Sequence, residues 1–278
     1  MMGNRTRTRL WQVLGNAVLL LLIFLTVVPY LYTISASFKP GDELYSIPIR
    51  VFPDSLYLGN YELLFEKTNF VRWFFNSVFI GLSRMALAVT ISLMAGYAFA
   101  KFDFRFKNPL FILLLATLTL PIYVLIVPLY DMMVALGWTD TYIALILPVA
   151  AQAIGVFLTR QYLLSIPDEI LDSARVDGAG EWSVFWRIVV PLSWPVIAVM
   201  AILFFTASWN DYIWPLVVLT QDKMFTVSLG LPTLVGPYSR QYGAVMAGSF
   251  LSTVPIVILF LIMQRRFIEG ITQGALKG

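Results

Sequence analysis

Only 13% of the 278 residues are charged, against 59% hydrophobic, with a formal net charge of +3, whereas a soluble domain carries about a quarter charged residues. The chain has neither cysteine nor histidine, which excludes Cys/His zinc sites, disulfides, thiol catalysis, thioether-linked haem and Ser-His or Cys-His catalytic pairs. The modest basic excess does not suggest nucleic acid and fits the cytoplasmic loops of a polytopic membrane protein.

A bilayer core of about 30 Å needs about 20 apolar residues as helix. Six stretches qualify: Trp11 to Phe38, Asn76 to Ala100, Pro109 to Tyr130, Tyr142 to Tyr162, Trp194 to Leu219 and Ala244 to Met263. The expected fold is all-α, a membrane bundle of six spans in a single domain over 1–278. The first run follows Arg5, Arg7 and Arg9 like a signal peptide, and "SAS" (Ser35 to Ser37) could serve as a cleavage site. It is longer than an ordinary signal core and five spans follow it, so a retained helix is expected.

A polar loop, about 39–71, precedes the second span, and that span carries Arg84 about 12 Å inside it at 1.5 Å per residue. An intramembrane charge marks function by default; snorkelling or pairing with a carboxylate explains it equally well. Pro29, Pro121, Pro128, Pro148, Pro215 and Pro255 recur in the spans. Each frees a backbone carbonyl, which fits either kinked packing or a bundle built round a water-filled path.

After the fourth span comes "DSARVDGAGEWSVFWRIVVP", Asp172 to Pro191, polar between two apolar runs. Ser165 stands at capping-box distance from Asp168, with Pro167 in the first turn, so a helix is predicted from about Pro167 to Asp177. Gly178 and Gly180 permit a sharp change of direction. Trp182, Phe185, Trp186 and Val189 then share one apolar face of a second helix. Ser173, Ala174 and Ala179 offer a small-residue face flanked by charge, which suits a groove on another protein. The alternative is an interfacial helix anchored by Trp182 and Trp186, which does not account for the acidic first helix.

"WNDYIWP" places Trp209, Asn210 and Asp211 near the outer end of the fifth span. An aromatic belt at headgroup level and a solute pathway, with stacking on Trp209 and hydrogen bonds from Asn210 and Asp211, are both open, the belt being the plainer. A second outer loop, about 220–243, has Gly236, Pro237 and Tyr238 at its tip. With the N-terminus cytoplasmic, twelve basic residues lie inside and six outside, Arg84 completing the nineteen; the positive-inside rule then puts both termini and the 163–193 segment in the cytoplasm.

That segment resembles the cytoplasmic EAA loop of ABC importer permeases: Glu-Ala-Ala, three residues, Gly, nine residues, Ile, one residue, Leu-Pro. The matching positions are Asp172-Ser173-Ala174, Gly178, Ile188 and Val190-Pro191, with every gap kept and Asp172, Ser173 and Val190 as conservative departures. "NSVFIGLSRMALAVTISLMAGYAFAKFDF", "ASWNDYIWPLVVLT" and "QRRFIEGITQGALKG" extend the resemblance to MalG-type subunits of carbohydrate importers.

The resemblance implies a type I importer permease fold with a cytoplasmic coupling helix, in a bacterial or archaeal cytoplasmic membrane. It implies a MalF-type partner permease, a cytoplasmic ABC ATPase dimer and an extracytoplasmic solute-binding protein. Asp172, Ser173, Ala174, Asp177, Gly178, Ile188, Val190 and Pro191 would couple to the ATPase, and Gly236, Pro237 and Tyr238 would face the binding protein. The tail would touch the ATPase pair. No G-x-x-x-x-G-K-[ST] loop is present, so ATP chemistry lies on another polypeptide; no catalytic residue, cofactor or metal ligand is assigned. The cargo implied is a sugar or oligosaccharide, with glycerol phosphate or another polar solute as the alternative. An ion-coupled transporter would need ionisable groups deep in the spans, and the candidates are Arg84, Asp131 and Asp211.

Overall fold

Prolines and polar breaks, more than length, decide how the apolar runs become helices. In the computed structural model, which describes residues 2–48, 50–236 and 239–275, three helices are long and apolar enough to cross a membrane by themselves. They are α1 (Met2–Ser37), α4 (Phe70–Lys101) and the last helix, α15 (Tyr242–Ala275). Short α2 (Gly41–Leu44) and α3 (Gly59–Glu66) lie between the first two. Pro29 and Pro255 sit inside α1 and α15 without ending them.

The other three predicted spans are discontinuous. The third is α5 (Lys107–Thr117), a 3₁₀ turn after Pro121 (Ile122–Leu125), and α6 (Ile126–Ala135). The fourth is α7 (Tyr142–Ile146) and α8 (Ala153–Leu163), parted around Pro148. The fifth is α12 (Trp194–Trp209) and α13 (Ile213–Val218), parted at Asn210–Tyr212. Between α8 and α12 run α9 (Asp168–Val176), α10 (Glu181–Val184), a π turn (Phe185–Val189) and α11 (Val190–Leu192). Glu181–Leu192 meets α12 at 77°.

The chain forms two units. One holds residues 1–70 and 231–253. Its segment between α1 and α4 is tied by Asn60, whose Nδ2 donates to the carbonyls of Ser37 and Lys39 at 2.9 and 2.7 Å. Lys39 is 1% exposed and satisfies its ammonium on the Arg50 carbonyl and the Tyr32 ring. That unit also carries a two-stranded antiparallel ribbon, Val235–Gly236 with Ser239–Arg240. Of the expected loop tip, Gly236 ends the first strand, while Pro237 and Tyr238 lie outside the described residues.

The second unit, 71–230 with 254–278, contains two buried apolar clusters. One gathers Leu93 and Tyr97 of α4, Leu163, Met200 and Phe204 around Leu171, Val184, Phe185 and Val189 of the polar interruption. The other gathers Ile80, Met133, Leu145, Trp214 and Val218. Helix α14 (Val227–Gly230) follows α13, and Gly230 lies flush against the Trp73 indole.

Helices α4 and α8 cross through small residues. A Cβ on Gly155 would stand 2.2 Å from Ser92 Oγ, and one on Gly96 2.4 Å from Thr159 Cβ. Ser92 and Gly96 on α4, and Gly155 and Thr159 on α8, are each one turn apart, the small-xxx-small arrangement by which helices in lipid approach closely.

Candidate functional site

Two places in the second unit gather chemistry. The first is the 163–193 elbow. Helix α9 matches the predicted element, but its start differs from the expected capping box: Pro167 is the N-cap and makes no side-chain cap. The Ser165 hydroxyl turns back to donate to the Tyr162 carbonyl at 2.7 Å, which removes it from the helix amides. Asp168 is held instead by Lys101, at the end of α4.

The other end of α9 closes as the glycine pattern predicts. Gly178 has φ of +85°, its amide donates to the Arg175 carbonyl at 3.0 Å, and the Ala179 amide to Ala174 at 3.0 Å. Those two bonds form a Schellman motif, which satisfies the last carbonyls of the helix. Asp177 is the C-cap.

The second half departs from a single apolar face. The π turn over Phe185–Val189 adds a residue to that turn and shifts the stripe. Phe185 and Val189 are buried beside Val184, whereas Trp182 and Trp186 are 65% and 51% exposed. A straight α period does not foresee that slip. Burying side chains the size of Leu171 and Phe185 contributes about 1.5–3 kcal/mol each, so the elbow is part of the core of its unit. Of the motif positions, Ile188 and Val190 are half-buried against this cluster, and Asp172, Ser173, Asp177, Gly178 and Pro191 are exposed. Ala174 packs against the cluster, while Ile170 and Val176 show apolar surface.

Arg175 organises the charges. Its guanidinium donates to Asp172 at 2.8 Å and to Glu181 at 2.7 Å, bracing helix against elbow. Glu181 also accepts from Tyr97 of α4 at 3.1 Å. The hydrogen bond to Glu181, then that to Asp172, hold the Arg175 pKa above its ordinary value. The hydrogen bond from Lys101 holds the Asp168 carboxyl below its ordinary value.

A carboxyl depressed in this way stabilises its fold fully above its unfolded value and loses that contribution as pH falls through the folded one. Protection of the α9 amides, measured by hydrogen exchange and corrected for intrinsic rates, is expected to stay level from pH 7 to about 5. It should decline below the ordinary aspartate value of 3.8. In Asp168→Asn the Lys101 part of that decline should vanish, with protection about two- to five-fold lower at pH 7. A variant with the wild-type pH profile would refute the tether.

The second place is a cavity of about 530 Å³ whose lining includes Arg84, Tyr123, Gln152, Asn210, Asp211 and Trp214. Arg84 Nη1 meets Asp211 Oδ2 at 2.9 Å, with the two side chains 11% and 19% exposed. This is the pairing alternative for Arg84. Asp211 also accepts from the Trp214 amide at 3.3 Å, which starts α13. Of the three pathway residues read from sequence, Asn210 and Asp211 line the cavity. Trp209 does not: it is 5% exposed, stacked on Phe205 at 5.5 Å and edge-on to Phe74, because α12 turns that ring into the core. Gln152 and Tyr123 carried no sequence signal beyond standing just after the breaks at Pro148 and Pro121.

The start of the 220–243 loop is pinned as well. Asp140, at φ 58°, accepts from the amides of Thr220 and Gln221 at 2.6 and 3.0 Å. Burial pushes its carboxyl up, but the Thr220 hydroxyl and these amides outweigh it and hold the pKa below the ordinary value. Trp73 Nε1 donates to the Asp222 carbonyl at 2.9 Å.

Residues 88–273 match the family described as "Binding-protein-dependent transport system inner membrane component". The chain is 43% identical over 258 residues to the arabinooligosaccharides transport system permease protein AraQ of Halalkalibacterium halodurans, covering 92% of each chain. It is 33% identical over 276 residues to the lactose transport system permease protein LacG of Rhizobium radiobacter, covering 99% of this chain and 100% of that one. Its fold is similar to a chain in the crystal structure of a bacterial ABC transporter involved in the import of the acidic polysaccharide alginate. The TM-score is 0.82 at 20% identity, over 93% of this chain and 97% of that chain.

Proposed function

The chain belongs to the family of binding-protein-dependent transport system inner membrane components, and from that premise we propose that it is the membrane-spanning permease subunit of an ABC importer for a sugar or oligosaccharide. The cargo class is that of its arabinooligosaccharide and lactose relatives. An importer of this kind works with an ATPase and a solute-binding protein. The finer reading is a heterodimer with a MalF-type permease, both termini cytoplasmic, residues 1–278 acting as one permease domain.

One observation carries the coupling part of this reading: an exposed, charged elbow is anchored from behind in a buried apolar core. Leu171, Val184, Phe185 and Val189 face that core, and Asp172, Ser173, Asp177 and Gly178 face away. Motion imposed on the outer face by ATP-driven closure of the ATPase pair would pass to α4, α8 and α12 without being absorbed by the elbow. ATP shifts the open states only by its differential affinity for them, so a stiff connection is what the mechanism needs. Asp172 starts paired with Arg175, and an ATPase cation would have to share that carboxylate. Ala174, Ile188, Val190 and Pro191 support the exposed positions from within and beside the elbow. Gly236, Pro237 and Tyr238 are proposed as the contact with the binding protein, on the motif resemblance.

The test is reconstitution. The tagged chain should copurify with an ATPase and a second permease. Uptake of a labelled arabino-oligosaccharide or lactose into proteoliposomes should fall to background when either ATP or the binding protein is withheld. Uptake that survives ATP removal and follows an ion gradient would overturn the reading.

A further inference from the structure

Three interrupted helices converge on one place. The cavity lining includes Tyr123 after the Pro121 break, Val149 and Gln152 at the α7–α8 break, and Asn210 to Tyr212 at the α12–α13 break. Broken backbone at membrane depth is tolerated where it is buried in protein or lines a water-filled cavity. Here the breaks surround an ion pair between Arg84 of the unbroken helix α4 and Asp211 of the α12–α13 break. We infer that this cavity is a solute subsite within this subunit, suited to an uncharged polyhydroxyl and closed to anions. The inference rests on the sugar-importer reading and adds to it the place and the charge selectivity.

Size and lining fit a small-molecule site, which holds roughly 300–1,000 Å³ and is mostly apolar with a few placed polar groups. Trp214 is a fixed wall, because its Nε1 donates to the buried Ala144 carbonyl at 2.9 Å. Gln152 is oriented by a 2.6 Å bond from its amide nitrogen to the Val149 carbonyl, which keeps its side-chain oxygen as an acceptor. Among the described residues, the Asn210 side-chain amide has no protein partner.

Charge decides the class of solute. With Arg84 already on Asp211, the pair presents further guanidinium donors beside further carboxylate lone pairs, and their charges cancel. A sugar hydroxyl both donates and accepts, so neighbouring hydroxyls can use both ends without parting the pair. An anion would meet the Asp211 carboxylate beside the guanidinium, and drawing Arg84 away would strand a nearly buried charge, a costly change. A cation meets the converse obstacle.

The experiment uses the assembled transporter in nanodiscs, titrated calorimetrically with a neutral arabino-oligosaccharide and, separately, with inorganic phosphate. The wild type should bind the oligosaccharide and not phosphate. Asp211→Asn keeps an acceptor for the Trp214 amide but leaves Arg84 uncompensated; it should weaken the sugar about ten-fold and admit phosphate. Exchanging the charges, Arg84→Asp with Asp211→Arg, should recover thermal stability lost in either single variant but not sugar affinity. Wild-type sugar affinity in Asp211→Asn, phosphate binding to the wild type, absence of sugar binding, or recovery of sugar binding by the exchange would each overturn the subsite. Normal ATP-driven uptake alongside any of those results would leave the permease reading standing; loss of ATP dependence would refute that reading separately.

Discussion

Gly178→Val is expected to abolish ATP-driven uptake while the subunit still inserts and assembles. At φ of +85° a β-branched side chain is strained whatever space surrounds it, by about 1–3 kcal/mol. Space is not the issue, since nothing lies within 4 Å of a Cβ placed there. The strain is relieved most easily by unwinding the last turn of α9, which gives up the two Schellman bonds. That redirects Asp172, Ser173 and Val176 while Leu171 and Phe185 stay in the core. Membrane insertion should therefore be unaffected, and the loss should lie in binding-protein-stimulated ATPase activity and uptake, both to background. Gly178→Asn, a residue that enters the left-handed region at low cost, is expected to keep uptake within about three-fold of wild type. Wild-type transport by the valine variant would refute the role of the bend.

Gly155→Val should cost the folded subunit itself. The added Cβ alone would stand 2.2 Å from Ser92 Oγ and 2.7 Å from Phe204 Cζ, before the two methyl groups beyond it are counted. Ser92 and Thr159 are both fully buried at this crossing, so relief requires α8 to move off α4 and α12. Overpacking a well-filled site costs about 1–3 kcal/mol when side chains can adjust; here three helices must part, and a loss beyond about 3 kcal/mol is expected. In a chain of this size that corresponds to a fall in melting temperature on the order of 10 °C, or to no recoverable subunit in detergent. Gly180→Ala is the comparison: its φ is −68° and nothing lies within 4 Å of an added Cβ. It should shift stability by no more than about 0.5 kcal/mol. Equal melting temperatures for the two variants would refute the tight crossing.

The elbow and the cavity differ in how far they could be read from residues alone. At the elbow, the Gly178 bend, the helix before it and the outward-facing carboxylates were all legible, because each depends on bonds spanning one or two turns. The Ser165 cap and the continuous Trp182–Val189 face were also local expectations. Both gave way to longer-range packing: Lys101 took Asp168, and the buried cluster selected Phe185 and Val189 over the tryptophans.

Hydropathy was enough to locate six apolar runs, since the free-energy cost of leaving them in water depends on composition and length. It could not say which runs would be single helices. Pro29 and Pro255 lie within continuous α1 and α15, whereas the runs containing Pro121 and Pro148 are broken, so a proline in itself does not decide the matter. What decides it is whether neighbouring helices or a cavity can satisfy the freed backbone groups. The same holds for Arg84, whose partner Asp211 is 127 residues away. No window of sequence contains both, and they meet only because α4, α8 and α12 pack closely enough through glycine, serine and threonine to bring an unbroken helix against the ends of broken ones.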